Sequence, residues 1–227
     1  MPTIFITGAN RGIGLEFTRQ YGANGWKVIA TCRNPIQPGE LASLSGDIEV
    51  HGLDVTNHAQ VDKLATDLNP VPIDVFVNNA GIYGPRGMTA ERMDYTAWEE
   101  VFRVNTMAPF KLATTFSKHV ARSEQKKLVN ISSIMASNGA SANGGEHIYR
   151  SSKAALNRVM RSFACDVIDR EIIVSVFHPG WVKTDMGGTS ADIDVMTSVA
   201  GMRDTIAGLV PSDSGKFFNY DGSSLLW

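Results

Sequence analysis

The sequence contains few cysteines and no long apolar segment. Its 227 residues include only Cys32 and Cys165, too few to build a disulfide framework. That scarcity is typical of a reducing compartment, and the amino terminus enters a strand-like run with no signal peptide ahead of it. The longest apolar runs are only as long as β-strands. We therefore expect a cytoplasmic protein that has no membrane partner.

Charge of one sign is not in excess either. The 21 Lys and Arg residues against 23 Asp and Glu residues give a formal net charge of -2, without the basic surface that nucleic-acid binding needs. The five histidines are scattered without metal-ligand spacing, so we expect no metal site. The nucleophile elbow of a serine hydrolase, Gly-x-Ser-x-Gly, is also missing, because residues 139–143 read Gly-Ala-Ser-Ala-Asn.

What the sequence does contain is an alternation of short apolar strands with amphipathic helices. We predict strands at Thr3–Thr7, Lys27–Thr31, Ile48–Leu53, Ile73–Val77, Lys127–Ser132, Ile172–Phe177 and Lys216–Asn219. Helical patterns cover 13–24, 57–68, 96–122, 149–169 and 191–209, and irregular sequence gathers at 33–46, 82–95, 134–147 and 180–192. Strands that are apolar throughout indicate a parallel sheet covered on both faces. We therefore expect a single α/β domain with a doubly wound parallel sheet, which binds ligands at the carboxyl ends of its strands.

A glycine loop joins the first strand to the first helix. Its spacing is Gly8-x-x-x-Gly12-x-Gly14. Gly8 allows a sharp turn off the strand, Gly12 allows the backbone to approach a pyrophosphate, and Gly14 allows the helix to pack closely on the sheet. The free N–H groups at the start of the helix favour phosphate binding. A plain glycine turn is the alternative, but the strand and helix on either side favour a nucleotide site.

This loop and several later motifs resemble those of the short-chain dehydrogenase/reductase family. Asn78-Asn79-Ala80-Gly81 follows strand 4, and Pro179-Gly180 with Thr184 follows strand 6. The resemblance covers nearly the whole chain. It implies a catalytic tetrad consisting of Asn105, Ser133, Tyr149 and Lys153.

The resemblance also implies the fold and the coenzyme contacts. It predicts one NADP-binding domain over residues 1–227, with a Rossmann-like sheet of about seven strands in the order 3-2-1-4-5-6-7. The residues that it assigns to the coenzyme are Gly8, Asn10, Arg11, Gly12, Ile13, Gly14, Arg33, Asp54, Val55, Asn78, Ala80, Gly81, Tyr149, Lys153, Pro179, Gly180, Val182 and Thr184.

The end of strand 2 predicts which coenzyme is used. NAD-binding proteins of this architecture place an acidic residue there for the ribose 2′-hydroxyl, but this chain has Cys32 followed by Arg33. A guanidinium can bind a 2′-phosphate through paired hydrogen bonds, and Arg11 could add a second positive charge. Both arginines could instead be simply solvated. Their placement around one predicted phosphate favours NADP(H). In the family, Asp54 bonds the adenine amino group; helix capping is the alternative role, although Thr56 or Asn57 is better placed for it.

The predicted helix at 149–169 carries the chemistry. Tyr149 and Lys153 lie one turn apart in line with its apolar stripe, where a lysine would ordinarily extend to water. A nearby ammonium lowers the pKa of a tyrosine, which is about 10 when unperturbed. Tyr149 is therefore the expected general acid in carbonyl reduction, and Ser133 the expected hydrogen-bond donor to the substrate oxygen. Ser132 is the competing assignment for that donor.

Asn105 lies in the middle of a predicted helix, where asparagine is a poor helix former. Pro109 follows four residues later and has no N–H, so the Asn105 carbonyl loses its normal helical partner. We predict a local kink there, with the freed carbonyl accepting from a water that bridges to Lys153. Such a water matches the family role of this asparagine in proton relay.

The substrate side of the sequence is less specific. Tyr83 is expected in a pocket wall, and Met135, Trp181, Met186 and Tyr95 are candidates for an apolar one, which would suit aldehydes, ketones or quinones. Two segments, 178–188 and 219–227, resemble sniffer-type carbonyl reductases and the bacterial C-factor group. The alternative function is therefore a nucleotide-binding signalling or redox-sensing protein with little turnover. Family members often form homodimers through the helices at 96–122 and 149–169, although Arg158 and Arg161 lie on the outer face of the second.

Overall fold

The computed structural model describes residues 1–139 and 144–227. One parallel sheet contains seven strands in the order β3-β2-β1-β4-β5-β6-β7, which confirms the predicted order. The strands are β1 (Thr3–Thr7), β2 (Lys27–Cys32), β3 (Ile48–Gly52), β4 (Val75–Asn78), β5 (Lys127–Ile131), β6 (Ile173–His178) and β7 (Phe217–Asn219).

Helices cover both faces of this sheet, as the apolar strands predict. They are α1 (Gly12–Ala23), α2 (His58–Asp67), α3 (Tyr95–Phe102), α4 (Ala108–Ala121), α5 (His147–Asp166) and α6 (Val195–Gly208). The core residues of α2, α4 and α5 pack in one apolar cluster, and those of α1 and α6 pack in a second. The fold is therefore doubly wound.

The alternation of side chains along β1 supplies both clusters at once. Phe5 points to one face, where its ring stacks on Phe76 with centroids 4.6 Å apart and meets Phe116 at 4.8 Å. Ile4 and Ile6 belong to the cluster on the other face. Because the sheet is covered on both sides, the core residues of its strands are mostly apolar.

The helix predicted over 96–122 is interrupted in its middle. Arg103–Met107 forms a π-helical turn between α3 and α4, and the Ala108 N–H donates to the Arg103 carbonyl, five residues back. Pro109 lies just after this turn and cannot donate to the Asn105 carbonyl. The predicted distortion at Asn105 is thus present as a π turn, a feature that is common at functional sites.

The irregular segments follow the carboxyl ends of the strands. The predicted Gly-Ala-Ser-Ala-Asn segment lies largely outside the described residues, which omit 140–143. The last helix begins at Val195 rather than near 191, because Asp194 caps it by accepting from the Thr197 N–H and Ile193 pairs with Val182. Within the described ranges, no helix has both the length and the apolar character that crossing a membrane requires.

Candidate active site

The glycine loop has the backbone conformation that its spacing predicts. Gly8 and Gly12 have φ angles of +64° and +53°, in the region that favours glycine. At Gly14 an added Cβ would lie 2.3 Å from the Gly8 carbonyl oxygen and 2.5 Å from Asn79 Nδ2. The absence of a side chain at Gly14 therefore lets α1 start against the end of β1.

Gly14 provides a direct test of this packing. Gly14→Ala should lower the free energy of unfolding by about 1–3 kcal/mol or more, because backbone atoms would have to move. Gly208→Ala is the matched control, since its added Cβ meets nothing within 4 Å and its φ is not positive. That variant should be neutral or slightly stabilising. Urea unfolding of both variants measures the difference, and equal stabilities would contradict the packing argument.

The start of α1 is open to an anion. Arg11 is its N-cap residue and makes no side-chain capping bond, and the first turn carries no acidic residue. The guanidinium of Arg11 instead pairs with Asp185 at 3.4 Å, and both side chains are largely exposed. Asn10 is half-buried in the loop, and Ile13 packs against the core cluster that contains α1. These features suit a phosphate group at the helix N-terminus.

The loop after β6 faces the glycine loop. An added Cβ at Gly12 would lie 3.5 Å from the Thr184 methyl carbon. Thr184 Oγ1 accepts from the Gly187 N–H at 3.0 Å, and Val182 is buried beneath it. Gly180 has a φ of +84°, and the Pro179 carbonyl accepts a hydrogen bond from Ser198. The fold thus brings together two motifs that are about 170 residues apart in sequence.

The ends of β2 and β3 form the side of the cleft where an adenine ribose would lie. Cys32 is the last residue of β2 and is buried, and Arg33 follows it at the surface. Asp54 Oδ1 accepts from the Thr56 N–H and hydroxyl, which lowers the pKa of Asp54, and Arg33 adds to that effect. The helix cap is Asn57, as the sequence suggested, and Val55 is buried.

The residues of the segment Asn78-Asn79-Ala80-Gly81 differ in their burial and in the contacts that they make. Asn78 is buried as the last residue of β4, and its Nδ2 donates to Asn130 Oδ1 at 2.9 Å and to the Pro109 carbonyl at 3.2 Å. Its side-chain N–H groups therefore bond β5 and α4 beneath the cleft. Ala80 and Gly81 are half-buried beyond the strand end.

Thr7 and Asn79 are structural contributors that the sequence interpretation missed. Thr7 Oγ1 accepts from the N–H groups of Asn79 and Ala80 at 2.9 and 3.0 Å, and Asn79 Nδ2 donates to the Thr7 carbonyl at 2.8 Å. These bonds tie the segment after β4 to the glycine loop. The motif spacing gives no signal of them, because the contact joins two different strands.

Tyr149, Ser133 and Lys153 come together at the carboxyl edge of the sheet. Ser133 lies near enough to Tyr149 for its hydroxyl to affect the pKa of the phenol, and Ser133 Oγ accepts from the Met135 N–H at 3.2 Å. Ser132 points away, and its hydroxyl donates to Asn157 Oδ1 at 2.6 Å in the core. The geometry therefore favours Ser133 over Ser132 as the partner of the tyrosine.

Lys153 is buried and does not extend to water. Its Nζ donates to the Ile131 carbonyl at 2.9 Å and lies 5.9 Å from the centre of the Tyr149 ring. Burial lowers the pKa of Lys153 to about 8. Burial also raises the pKa of Tyr149 above its ordinary value, and the nearby Tyr83 adds to this, whereas the Ser133 hydroxyl lowers it. Lys153 is not among the groups that shift this pKa, so the expected lowering by Lys153 is not seen and Tyr149 is protonated at neutral pH.

The pKa of Lys153 predicts a pH-dependent stability difference. Folding lowers this pKa, so the unfolded chain binds more protons between about pH 8 and the ordinary lysine value near 10.4. Relative to Lys153→Met, the wild-type protein should gain up to a few kcal/mol of unfolding free energy as pH rises through that range. Denaturant unfolding of both proteins at several pH values measures this. A constant difference would show that Lys153 keeps its ordinary pKa.

Asn105 is fully buried. Its Oδ1 accepts from the Ile82 N–H at 2.9 Å, and its Nδ2 donates to the Ile82 carbonyl at 2.8 Å and to Ser152 Oγ at 3.1 Å. An added Cβ at Gly81 would lie 3.2 Å from Asn105 Oδ1 and 3.5 Å from Lys153 Nζ. Asn105 therefore joins the loop after β4 to α5, beside the ammonium of Lys153.

The proposed apolar wall is only partly assembled. Met135 is two residues after Ser133 and donates its N–H to the Ser133 hydroxyl, and Trp181 and Met186 are exposed on the loop after β6. Tyr95, in contrast, stacks on Trp98 in a separate surface groove with Phe102 and Met107. In the described part of the chain, no three His, Cys, Asp or Glu side chains group as a metal site.

Comparisons with known proteins agree with this arrangement. A family model for short chain dehydrogenases matches residues 2–204. The C-signal protein of Myxococcus xanthus is 36% identical over 163 residues, which cover 72% of this chain and 98% of that protein. The carbonyl reductase Sniffer of D. melanogaster superposes with a TM-score of 0.92 at 34% identity, over 100% of both chains. An NADPH-bound carbonyl reductase from chicken fatty liver gives 0.91 at 33% identity, over 100% of this chain and 99% of that one. This chain belongs to the short-chain dehydrogenase/reductase family.

Proposed function

We propose that this protein is an NADP(H)-dependent oxidoreductase that reduces the carbonyl group of a small aldehyde, ketone or quinone to an alcohol. One observation carries the proposal. Tyr149 and Ser133 lie together at the carboxyl edge of the sheet, with the buried Lys153 Nζ 5.9 Å from the centre of the Tyr149 ring. A carbonyl oxygen placed between two such hydroxyls would accept a hydrogen bond from each.

The residues of the cleft fit a dinucleotide with a 2′-phosphate. The uncapped start of α1 and the left-handed Gly8 and Gly12 suit a pyrophosphate. Arg33 would bind the 2′-phosphate, and the Asp54 oxygen not used by Thr56 would accept from the adenine amino group. NADPH is the coenzyme in the chicken carbonyl reductase, which has the same fold over the full length of this chain.

The chain's own groups have distinct parts in the reaction. A bound reduced nicotinamide would supply hydride to the carbonyl carbon. Ser133 would hold the carbonyl oxygen and stabilise its growing negative charge, and Tyr149 would donate the proton that completes the alcohol. The raised pKa of Tyr149 suits this direction, because the phenol is protonated before each reduction. Lys153 would then stabilise the phenolate that remains.

Proton resupply is assigned to the region around Asn105. The π turn and Pro109 deprive its carbonyl of the usual α-helical donor. We propose that this carbonyl holds a water that bridges to Lys153 and returns protons toward Tyr149. The Asn105 side chain would fix the position of this carbonyl through its bonds to Ile82 and Ser152.

A second function is favoured by the similarity to C-signal, which covers 98% of that protein. Under it, the chain would bind nucleotide in a signalling or redox-sensing role with little turnover. A panel of aldehydes, ketones and quinones, followed by NADPH absorbance with product analysis, separates the two. Coenzyme consumption matched by alcohol formation supports the reductase. Tight NADPH binding without reduction of any panel member favours the signalling role.

Coenzyme preference gives a further prediction. NADPH should bind more tightly than NADH, and Arg33→Ala should weaken NADPH binding about tenfold or more while leaving NADH nearly unchanged. A charge-assisted contact to phosphate contributes roughly 1.5–3 kcal/mol, and NADH lacks that phosphate. Calorimetric titration of both coenzymes measures the four affinities, and Lys183→Ala, an exposed cation on the loop after β6, serves as the control. Equal affinities in the wild-type protein would contradict the assignment of Arg33.

A further inference from the structure

Three side chains form a layered stack at the proposed acid. The ring of Tyr83 stacks on Tyr149 with centroids 4.4 Å apart and planes at 18°. The guanidinium carbon of Arg86 lies 4.1 Å from the centre of the Tyr83 ring, within range of a cation–π contact. A positive charge is thereby placed two layers from the phenol that would donate the proton.

Contacts from two other loops fix this stack. Arg86 Nη2 donates to the Met186 carbonyl on the loop after β6. The Glu146 carboxylate lies near Tyr83 and, after burial, is the main cause of the raised pKa of the Tyr83 phenol. Glu146 is the N-cap residue of α5 and has a φ of 52°, a left-handed conformation that is unfavourable for glutamate. Such strain is found where the surrounding structure demands a position, often at functional sites.

The charges around the stack leave Arg86 available to an anion. Glu146, Arg86 and Arg150 all lie near enough to Tyr83 to act on it electrostatically. Across 1–139 and 144–227, no carboxylate forms an ion pair with Arg86, which is exposed. The bond to Met186 uses only one of the five N–H groups of a guanidinium.

We propose that Arg86 determines substrate specificity by binding a carboxylate on the substrate, about one aromatic ring away from the carbonyl that is reduced. This inference rests on the proposed reductase function and names the substrate class: carbonyl compounds that carry an acidic group. Tyr149 and Arg86 already cover the two faces of Tyr83. Recognition therefore falls to the free N–H edge of Arg86, which can bond both oxygens of a carboxylate.

Two matched aldehydes test the proposal. 4-Carboxybenzaldehyde and its neutral ester, methyl 4-formylbenzoate, differ in the charge at the position assigned to Arg86. The wild-type protein with NADPH should show a kcat/KM roughly tenfold or more higher for the acid. Arg86→Met should remove this preference, and Arg86→Lys should keep part of it, because an ammonium retains the charge without the paired geometry. Arg92→Met, an exposed arginine on the same loop, should leave the preference unchanged.

The ratio of the two aldehydes separates recognition from damage to the stack, because a displaced Tyr83 would slow both equally. Equal kcat/KM values in the wild-type protein, or a preference that survives in Arg86→Met, would overturn the assignment. Titration of the NADP-loaded protein with the two corresponding alcohols provides a readout without turnover. If neither aldehyde is reduced, the reductase proposal fails. The carboxylate assignment then stands if the acid binds more tightly through Arg86 and fails if it does not.

Discussion

Tyr149→Phe should reduce carbonyl turnover by roughly 10²–10⁴-fold, the range expected when a positioned general acid is removed. Phenylalanine keeps the ring that stacks on Tyr83 and lacks only the hydroxyl that lies near Ser133. Steady-state kinetics with NADPH and any active carbonyl substrate measures kcat. The loss should be in kcat, because the hydroxyl acts on the oxygen as charge develops there.

Two controls make the Tyr149→Phe result specific. The melting temperature should stay close to that of the wild-type protein, since one hydrogen bond contributes only about 1 kcal/mol. NADPH affinity should also change little. Lys153→Met, in contrast, should lower both NADPH affinity and turnover, because Lys153 is assigned to the coenzyme site as well as to the catalytic tetrad. A Tyr149→Phe variant that retains most of its turnover would show that the acid is another group.

The adjacent serines should give opposite results when each is replaced by alanine. Ser133→Ala should lower kcat by roughly 10²–10³-fold, as expected for the loss of one donor to a developing oxyanion. It should cost little stability, because the hydroxyl also caps only a short turn at Met135. Ser132→Ala should retain turnover but lose about 1–3 kcal/mol of unfolding free energy. It leaves the Asn157 oxygen unpaired in the core.

Kinetics and urea unfolding on both serine variants separate the two roles. If Ser132→Ala lost turnover while Ser133→Ala kept it, the donor assignment would have to be exchanged. If both variants lost turnover equally, the effect would come from movement of the strand end. The same pair of measurements therefore distinguishes a direct contact with substrate from support of the site.

Much of the fold could be predicted because its signals are local. The apolar runs, the glycine spacing and the helical stripes identify the seven strands and the main helices. Pro109 has no backbone N–H, whatever its surroundings. This property predicted the irregular helix at Asn105, which the structure shows as a π turn. Lys153 in line with an apolar stripe also predicted a lysine with an unusual environment, and the residue is buried.

Other features depend on contacts between distant segments and have no local signal. Motif matching placed Asn78 at the cleft, but the structure uses its side chain to bond Asn130 on the neighbouring strand. Helix spacing predicted that Lys153 would lower the pKa of Tyr149. The spacing gives no sign that Tyr149 is only 7% exposed, and this burial raises the pKa. The contact of Arg86 with Tyr83 joins residues three apart in a loop and has no periodic pattern that would predict it.

Isotope transfer tests the central claim of hydride delivery to a substrate carbonyl most directly. The wild-type protein is incubated with a reducible carbonyl compound and NADPH deuterated on either face of the nicotinamide C4 carbon. Mass spectrometry of the alcohol should show one deuterium on the carbinol carbon from one labelled face and none from the other. Tyr149→Phe should form that product far more slowly. An alcohol without deuterium from either coenzyme, or no coenzyme-dependent alcohol from any carbonyl tested, would contradict the assignment as a carbonyl reductase.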